Sequence, residues 1–261
     1  NRCKDECLPE ETNRRIVDII SDVNLCYSEH ARRYLMECGL PKERTFVTGS
    51  PMAEVLHANL DKIEASNVHQ RLGLTKGQYI LLSAHREENI DTDRNFVQLF
   101  TAVNAMAEKY DMPILYSCHP RSRKRLEATG FQLDTRVIAH EPLGFLDYNC
   151  LQMNAFAVVS DSGTLPEESS FFLSVGKPFP AVSIRTSTER PEALDAGCFI
   201  LAGIDAESLL QAVKMADGMQ RTACFGTPVE DYTAENVSMK VARIIQSYTG
   251  IVNKMVWRKD G

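Results

Sequence analysis

The sequence predicts an α/β protein whose main part is a doubly wound parallel sheet of the Rossmann-like type. Short apolar runs alternate with longer amphipathic segments along the chain, and this alternation is typical of parallel strands joined by right-handed helical crossovers. The strand candidates are apolar along their whole length, which indicates burial on both faces of the sheet. Six of them fall between residues 79 and 202, enough for one complete domain.

The individual elements are predicted from the period of the apolar residues. Strand candidates lie at residues 24–27, 45–48, 79–84, 113–118, 136–139, 155–160, 179–184 and 199–202. Helix candidates lie at residues 10–21, 93–110, 165–175, 206–217 and 234–248. In the first of these helices, Ile16, Ile19 and Ile20 share one face, as in an amphipathic helix.

The uneven distribution of strands predicts two domains of different completeness. Residues 1–55 hold two strand candidates, too few for a stable sheet, so we expect the remnant of an N-terminal Rossmann-like domain that begins before this chain. Residues 56–70 are expected to connect it to a complete C-terminal domain at residues 71–230. Residues 231–261 are expected to form a terminal helix and tail.

Composition excludes several classes of protein. Among 261 residues, 35 are acidic and 29 basic, so the formal charge of −6 argues against a nucleic-acid partner. No apolar run approaches the roughly 20 residues that cross a membrane, and the polar first residues are unlike a signal peptide. The close pair Cys3 and Cys7 lacks the second pair that a zinc site needs. The scattered cysteines therefore indicate reduced thiols and a cytoplasmic protein.

Polar residues follow the strand candidate at 155–160 and indicate an anion site. Asp161, Ser162, Gly163 and Thr164 lie between this strand and the predicted helix at 165–175. Small residues let a ligand approach the backbone, and the first amides of the helix would face it. Ser, Thr and Asp are also ordinary N-cap residues, and from these residues alone that explanation stays open.

Three further strand ends carry polar groups that would meet at the same edge of the sheet. They contribute Arg190, His85 and His119, the last followed by basic residues at 121 and 123–125. An ion pair of Arg190 with Glu189 or Glu192, a structural histidine and a solvated basic helix face are the alternatives. Together the four ends suit a ligand that carries a diphosphate. The G-x-G-x-x-G, Walker A and H-E-x-x-H motifs are missing, which argues against a nicotinamide or ATP signature.

An ordered set of motifs resembles the non-hydrolysing UDP-N-acetylglucosamine 2-epimerases. The set comprises PEETNR at 9–14, HREEN at 85–89, SDSG at 160–163, EE at 167–168 and TERPE at 188–192. Segments 142–149 and 168–170 look closest to a sub-branch that acts on 6-deoxy sugars of the L-talose and L-fucosamine series. That sub-branch serves the synthesis of capsule or O-antigen.

The resemblance implies a GT-B-like fold, in which two Rossmann-like domains face a cleft and the C-terminal helix crosses back to the first. It implies a UDP-sugar as the substrate and a homodimer of the full-length protein. C2 of the sugar is not α to a carbonyl, so direct proton abstraction is implausible. The implied route eliminates UDP across C1–C2 to give a glycal and adds it back with the opposite configuration at C2, with carboxylates moving protons and cations or amides stabilising the diphosphate. No cofactor and no metal are required.

The resemblance also assigns residues, and the two it makes catalytic are Glu10, for proton transfer, and His85, at the diphosphate and the reacting carbons. The expected substrate-binding residues are Arg86, Tyr148, Ser162, Gly163, Thr164, Glu168 and Arg190. Residues 162–164 would hold the phosphates, Glu168 the ribose, Arg190 phosphate or sugar, and Tyr148 the uracil. Thr164 stands where the family commonly has a second glycine. The family's other catalytic carboxylates would precede this chain.

Three alternatives to such an epimerase remain. A GT-B glycosyltransferase shares the fold and the nucleotide site. A hydrolysing epimerase would release free sugar and UDP. A non-catalytic module would bind the nucleotide sugar without exchanging the proton at C2.

Overall fold

The computed structural model describes residues 9–86 and 92–259 of the chain. Its first part contains helix α1 (Pro9–Ile20), strand β1 (Asn24–Cys26), helix α2 (Glu29–Glu37) and strand β2 (Thr45–Val47). The two strands form a small parallel sheet, in which Asn24 pairs with Thr45. Glu87, Glu88 and Asn89 of the predicted HREEN motif, and also Cys3 and Cys7, lie outside the described residues.

A larger sheet and its helices form the rest of the described chain. In order, its elements are α3 (Met52–Glu64), α4 (Val68–Leu72), β3 (Ile80–Ser83), α5 (Asp93–Tyr110), β4 (Ile114–Ser117), α6 (Pro120–Thr129), β5 (Val137–His140), α7 (Phe145–Met153), β6 (Ala157–Ser160), α8 (Leu165–Ser174), β7 (Ala181–Ile184), α9 (Pro191–Asp195), β8 (Ile200–Ala202), α10 (Ala206–Thr222) and α11 (Val237–Met255).

The six strands of the larger sheet run parallel in the order β5-β4-β3-β6-β7-β8. This confirms the predicted doubly wound α/β fold, because the chain builds the sheet outward from β3 in one direction and then from β6 in the other. The reversal makes the gap between β3 and β6 a topological switch point, where open α/β sheets bind ligands. At this point Ser83 and Ser160 are paired neighbours at the strand ends.

Helices cover both faces of the larger sheet, as its apolar strands require. Alternate strand residues point to opposite faces. Ile80 and Leu82 pack with α5 and α10 on one face, where Phe96 and Leu209 are fully buried. Leu81 packs on the other face with the helices α3, α7 and α8.

The stretch at 56–70, expected to connect two domains, is a packed helical layer. It lies within α3 and α4, and the buried side chains of Leu56, Ile63 and Val68 belong to the core of the larger sheet. Asp61 and Lys62 belong to the exposed side of the same helix, which gives the stretch its polar character. The expected division into domains at these boundaries stays a prediction.

Helix α11 runs from the larger sheet to the smaller one. Near its start, Lys240 Nζ donates to the carbonyl of Thr48 at 3.1 Å. Further along, Tyr248 packs against Phe46 with ring centroids 4.9 Å apart. Beyond its end, Trp257 Nε1 donates to Asp22 at 3.0 Å. The C-terminal segment thus holds the 9–50 region against the rest of the chain.

Some sequence expectations are changed by the structure. α10 and α11 extend beyond the predicted ends at 217 and 248. Cys26, Cys118, Cys150 and Cys198 are buried as expected, but Cys38 and Cys224 are exposed. In residues 9–86 and 92–259, no helix has the length and apolar character of a membrane span, and no three His, Cys, Asp or Glu side chains group as a metal site.

Candidate nucleotide site at the switch point

Asp161 joins the ends of β3 and β6. Its carboxylate is fully buried, and one oxygen accepts hydrogen bonds from the backbone amides of His85 at 2.9 Å and Arg86 at 2.8 Å. The amide of Asp161 in turn donates to the carbonyl of Ser83 at 3.1 Å. The backbone turns after both strands are therefore fixed to each other by one side chain. Sequence reasoning recognised Asp161 as part of a motif but gave it no role.

The same carboxylate orients the imidazole of His85. Nδ1 of His85 lies 3.1 Å from the second oxygen of Asp161, while about half of the histidine side chain remains exposed. A carboxylate this close to Nδ1 favours the tautomer that carries its hydrogen on Nδ1. In that tautomer Nε2 has the lone pair that can accept a proton. Tyr116 also donates from its hydroxyl to the carbonyl of Ala84 at 3.0 Å, which fixes the backbone before the histidine.

The loop at 161–164 presents backbone amides and hydroxyls at the start of α8. The amide of Ser162 donates to Ser160 Oγ at 3.0 Å, and the hydroxyls of Ser162 and Thr164 lie 2.9 Å apart. The first amides of a helix have no partner within it, and they favour a negative charge. Pro166 removes one of these donors, because proline has no N–H. The amide of Thr164 donates to Ser162 Oγ at 3.3 Å, and that of Glu167 donates to the Thr164 carbonyl at 2.9 Å. The anion site expected at this loop stays a prediction.

Glu168 is enclosed one turn into α8. Its two oxygens accept hydrogen bonds from the Thr164 hydroxyl at 2.7 Å and from the Gln152 side-chain amide at 2.6 Å. Burial raises the pKa of Glu168, and these two hydrogen bonds oppose the rise only in part. Tyr148, the residue expected at the uracil, has its hydroxyl in the neighbourhood of Glu168, Ser160 and Ser83, and burial raises its pKa as well.

We expect Glu168→Gln to stabilise the fold as the pH rises. Since the pKa of this carboxyl lies higher in the folded chain than in the unfolded one, ionisation opposes folding above the ordinary value near 4.5. The advantage of the variant in the free energy of unfolding should therefore grow with pH above that value. Urea unfolding between pH 4 and 8 measures it, with Glu108→Gln on the exposed side of α5 as the control. A stability advantage of Glu168→Gln that shrinks with rising pH would contradict the raised pKa of Glu168.

Two arginines flank Gly163. A Cβ atom added to this glycine would lie 3.8 Å from Nη2 of Arg86 and 3.9 Å from Nη1 of Arg185. Arg86 follows β3, and Arg185 follows β7, so cations from the strands on either side of β6 converge on the loop after β6. Arg185 is a residue that sequence reasoning did not select.

Glu189 pairs with Arg185 beneath the loop. The carboxylate accepts both Nη groups at 2.8 Å and lies 3.5 Å from Arg14 of α1. Burial alone would raise the pKa of Glu189, but the hydrogen bonds and charge of Arg185 outweigh it and hold the pKa at about 2. The pair therefore stabilises the fold fully above pH 4.5, and this contribution is lost as the pH falls through about 2.

Arg190 lies in a second buried cluster. Its guanidinium donates to Glu167, which is not one of the two carboxylates considered from the sequence. The other oxygen of Glu167 accepts the hydroxyl of Ser50, and the guanidinium of Arg190 lies 5.8 Å from the ring centroid of Tyr27. The cluster thus joins α8 and the loop before α9 to the 24–50 region.

The two carboxylates at the start of α1 have different environments. Glu10, the expected proton-transfer residue, is exposed, whereas Glu11 is buried beside Arg14 and Arg15. Through Arg14 and Glu189, the first turn of α1 lies near the strand ends, but no hydrogen bond or ion pair joins Glu10 to His85 in the described part of the chain. The catalytic role of Glu10 stays a prediction.

His119 and the basic residues after it form a helix start and an exposed face. His119 is the N-cap of α6, where its Nδ1 accepts the amide of Arg121 at 3.3 Å. Arg121, Arg123 and Lys124 are exposed. This agrees with the interpretation of the segment as a solvated helix face.

Comparisons with known proteins place this arrangement in a family. The family model described as UDP-N-acetylglucosamine 2-epimerase matches residues 1–246. The chain belongs to the UDP-N-acetylglucosamine 2-epimerase family. A member from Methanococcus maripaludis is 34% identical over 220 residues, which are 82% of this chain and 59% of that relative. One from Methanocaldococcus jannaschii is 32% identical over 222 residues, with the same coverage. The chain thus spans about three fifths of these relatives.

Solved structures of the epimerase family have the same fold. The UDP-N-acetylglucosamine 2-epimerase from Rickettsia bellii superposes with a TM-score of 0.88 at 42% identity, over 99% of this chain and 68% of that one. The Methanocaldococcus jannaschii epimerase, solved in complex with UDP-GlcNAc and UDP, has a TM-score of 0.82 at 28% identity, over 93% of this chain and 66% of that one. The GT-B-like fold expected from the motifs is confirmed by these neighbours.

Proposed function

We propose that this chain is the nucleotide-binding part of an isomerase that inverts C2 of a UDP-2-acetamido sugar. The observation that carries the proposal is that the Asp161 carboxylate binds the backbone amides of His85 and Arg86 and contacts the His85 ring. These contacts hold a histidine and an arginine beside the 161–164 loop at the switch point. Ligands bind at this position in doubly wound sheets. The family of the chain supplies the reaction class.

The diphosphate is proposed to lie across the 161–164 loop. The amides of Gly163 and Leu165, the Ser162 hydroxyl and the Arg86 guanidinium are suitable donors for phosphate oxygens. Gly163 offers no side chain, so a phosphate can approach its backbone closely. Arg190, fixed by Glu167, provides a further cation at the entrance from the loop before α9.

The nucleoside is proposed to extend from the loop towards Glu168 and Tyr148. Each oxygen of Glu168 accepts one hydrogen bond inside the chain, and a carboxylate oxygen has capacity for a second. Ribose hydroxyls are donors of the right kind. Tyr148 packs beside the same helix and would contact the base.

The reaction is proposed to be loss of UDP across C1–C2 to give a glycal, followed by re-addition of UDP at C1 and of a proton to the opposite face of C2. When the C1–O bond breaks, its electron pair leaves with the diphosphate, and the proton from C2 passes to a base. Amides and arginines stabilise the departing charge where it develops. His85, with Nδ1 held by Asp161, presents Nε2 for a hydrogen bond to the diphosphate or for proton transfer. Glu10 is the proposed carboxylate partner.

The finer parts of the proposal concern the setting of the enzyme. We propose a substrate of the 6-deoxy L-talose or L-fucosamine series, a role in surface polysaccharide synthesis, a cytoplasmic location and a homodimer of the whole protein. The motifs at 142–149 and 168–170 support the substrate series. A nucleotide sugar as substrate and the reduced cysteines agree with the cytoplasm.

Gly163→Ala tests the position of the diphosphate. Its added methyl group meets the two arginines at ordinary contact distances and requires no unusual backbone angle, so stability should change by less than about 1 kcal/mol. The methyl group would occupy the phosphate position, and we expect the affinity for UDP to fall at least tenfold. Calorimetric titration measures this, with Gly218→Ala, which meets nothing on α10, as the control. Equal UDP affinity in wild type and Gly163→Ala would contradict the proposed site.

Proton NMR of the whole protein in deuterium oxide tests the reaction itself. Incubation with UDP-GlcNAc and with UDP-6-deoxy sugars should yield the C2 epimer of the true substrate with deuterium at C2. Release of free sugar would indicate a hydrolysing enzyme. Tight binding without deuterium exchange would indicate a non-catalytic module, and turnover only with an acceptor would indicate a glycosyltransferase.

A further inference from the structure

Arg185 is a buried cation that pairs with Glu189 and also lies beside the loop at 161–164. It follows the last residue of β7, is 7% exposed, and donates both Nη groups to Glu189. Two-fold pairing of this kind uses two of the five N–H groups of a guanidinium. Nη1, one of the paired nitrogens, is also the atom that lies beside Gly163, and it carries a second hydrogen.

The position of Gly163 adds a second arginine to this arrangement. A Cβ atom added to Gly163 would lie 3.9 Å from Nη1 of Arg185 and 3.8 Å from Nη2 of Arg86. Two guanidinium groups from the ends of β3 and β7 thus lie within 4 Å of one point above the loop after β6. A glycine at that point keeps the space between them open.

The charge of Glu189 is shared and does not belong to Arg185 alone. Arg14 lies 3.5 Å from the same carboxylate, and the charge of Arg86 also acts on it. A carboxylate surrounded by three guanidinium groups leaves this region attractive to an anion. It also holds Arg185 rigid, which reduces the entropy that a flexible side chain loses when it binds a phosphate.

We propose that Arg185 is a substrate-binding residue that, with Arg86, forms a two-arginine clamp for the diphosphate across Gly163. The inference rests on the proposed function, because it specifies which cations of that site hold the phosphates. Arg86 approaches the diphosphate from the β3 side and Arg185 from the β7 side. Glu189 is the positioning residue of the clamp, since it fixes Arg185 without contacting the ligand.

Calorimetric titration of the chain with UDP, UMP and uridine tests the clamp. We expect Arg185→Gln to lower the affinity for UDP at least tenfold, to lower that for UMP less, and to leave that for uridine within twofold. Arg221→Gln is the matched control, because it removes the same charge from an exposed pair with Asp217 on α10; its affinities should equal those of the wild type.

Glu189→Gln separates binding from structure. Both Arg185→Gln and Glu189→Gln break the buried pair, and both should lower the midpoint of urea unfolding. Only Arg185→Gln removes a phosphate donor, so the UDP affinity of Glu189→Gln should exceed that of Arg185→Gln at least tenfold. If Arg185→Gln does not fold, Arg185→Lys replaces it, and its UDP affinity should lie below that of Glu189→Gln.

The outcomes distinguish the inference from the function on which it rests. If the wild type binds UDP no more tightly than uridine, the proposed function fails, and the clamp fails with it. If the wild type binds UDP through its phosphates but Arg185→Gln binds equally well, the clamp alone is wrong. Equal losses of UDP affinity in the Arg185 and Glu189 variants, or a parallel loss for uridine, would show that Arg185 is only structural.

Discussion

Asp161→Asn is expected to lower kcat of the whole protein about 10³-fold while the fold is retained. One carboxylate oxygen accepts the amides of His85 and Arg86, and the carbonyl oxygen of asparagine can accept them as well. The other oxygen is replaced by an NH₂ group that faces Nδ1 of His85. The hydrogen of the imidazole must then move to Nε2, and reversal of a catalytic tautomer in this way has lowered kcat by about 10⁴ in a serine protease. Solvent deuterium exchange at C2, followed by NMR, measures the rate.

The control for Asp161→Asn is Asp93→Asn, which removes the same charge from a side chain that is 91% exposed. It should leave kcat unchanged. The free energy of unfolding of Asp161→Asn is measured in the same preparations. A large decrease in that free energy would mean that the lower rate results from a damaged fold. A variant that folds and retains more than a tenth of the wild-type kcat would contradict the role of Asp161 as the residue that orients His85.

Leu56→Ala is expected to reduce the free energy of unfolding by about 2–5 kcal/mol. Leu56 is fully buried and packs in the core beneath α8, although it lies in the polar stretch that the sequence predicts to be a connector. Its removal leaves a cavity against the larger sheet. Urea unfolding followed by circular dichroism measures the change.

Val55→Ala is the matched control, because the neighbouring side chain is 46% exposed. Here we expect a change within about 0.5 kcal/mol, since little apolar surface is lost and alanine favours the helix. Similar small effects at both positions would show that α3 is a separable connector after all.

The α/β alternation could be predicted from the sequence because strands buried on both faces are apolar throughout. All eight strand candidates lie within two residues of observed strands, as with 155–160 and the observed Ala157–Ser160. The packing of α3 was not predictable in the same way. Polar residues such as Glu54 and Asp61 are interspersed with apolar ones along α3, and only the fold shows that Leu56 and Ile63 are the ones buried against the sheet.

The convergence of the strand-end residues could be predicted, but the pairing of their side chains could not. Residues such as His85 and Asp161 meet because parallel strands end at one edge. Arg185 follows β7 in the same manner, and the strand-end rule applied to that position would have found it. The partner of Arg190 lies 23 residues earlier, on α8, and only the tertiary fold brings Glu167 there. The carboxylates nearest in sequence, Glu189 and Glu192, therefore did not point to Glu167 as the partner of Arg190.

The central claim is that a diphosphate binds at the switch point between β3 and β6. Amide NMR spectra of the labelled chain, titrated with UDP and in parallel with uridine, test it most directly. We predict that UDP shifts the amides of residues 85–86 and 162–165 and that uridine leaves most of them unmoved. UDP-dependent shifts confined to other surfaces, such as the apolar groove between β1 and α11 lined by Leu25 and Ile244, would contradict the claim.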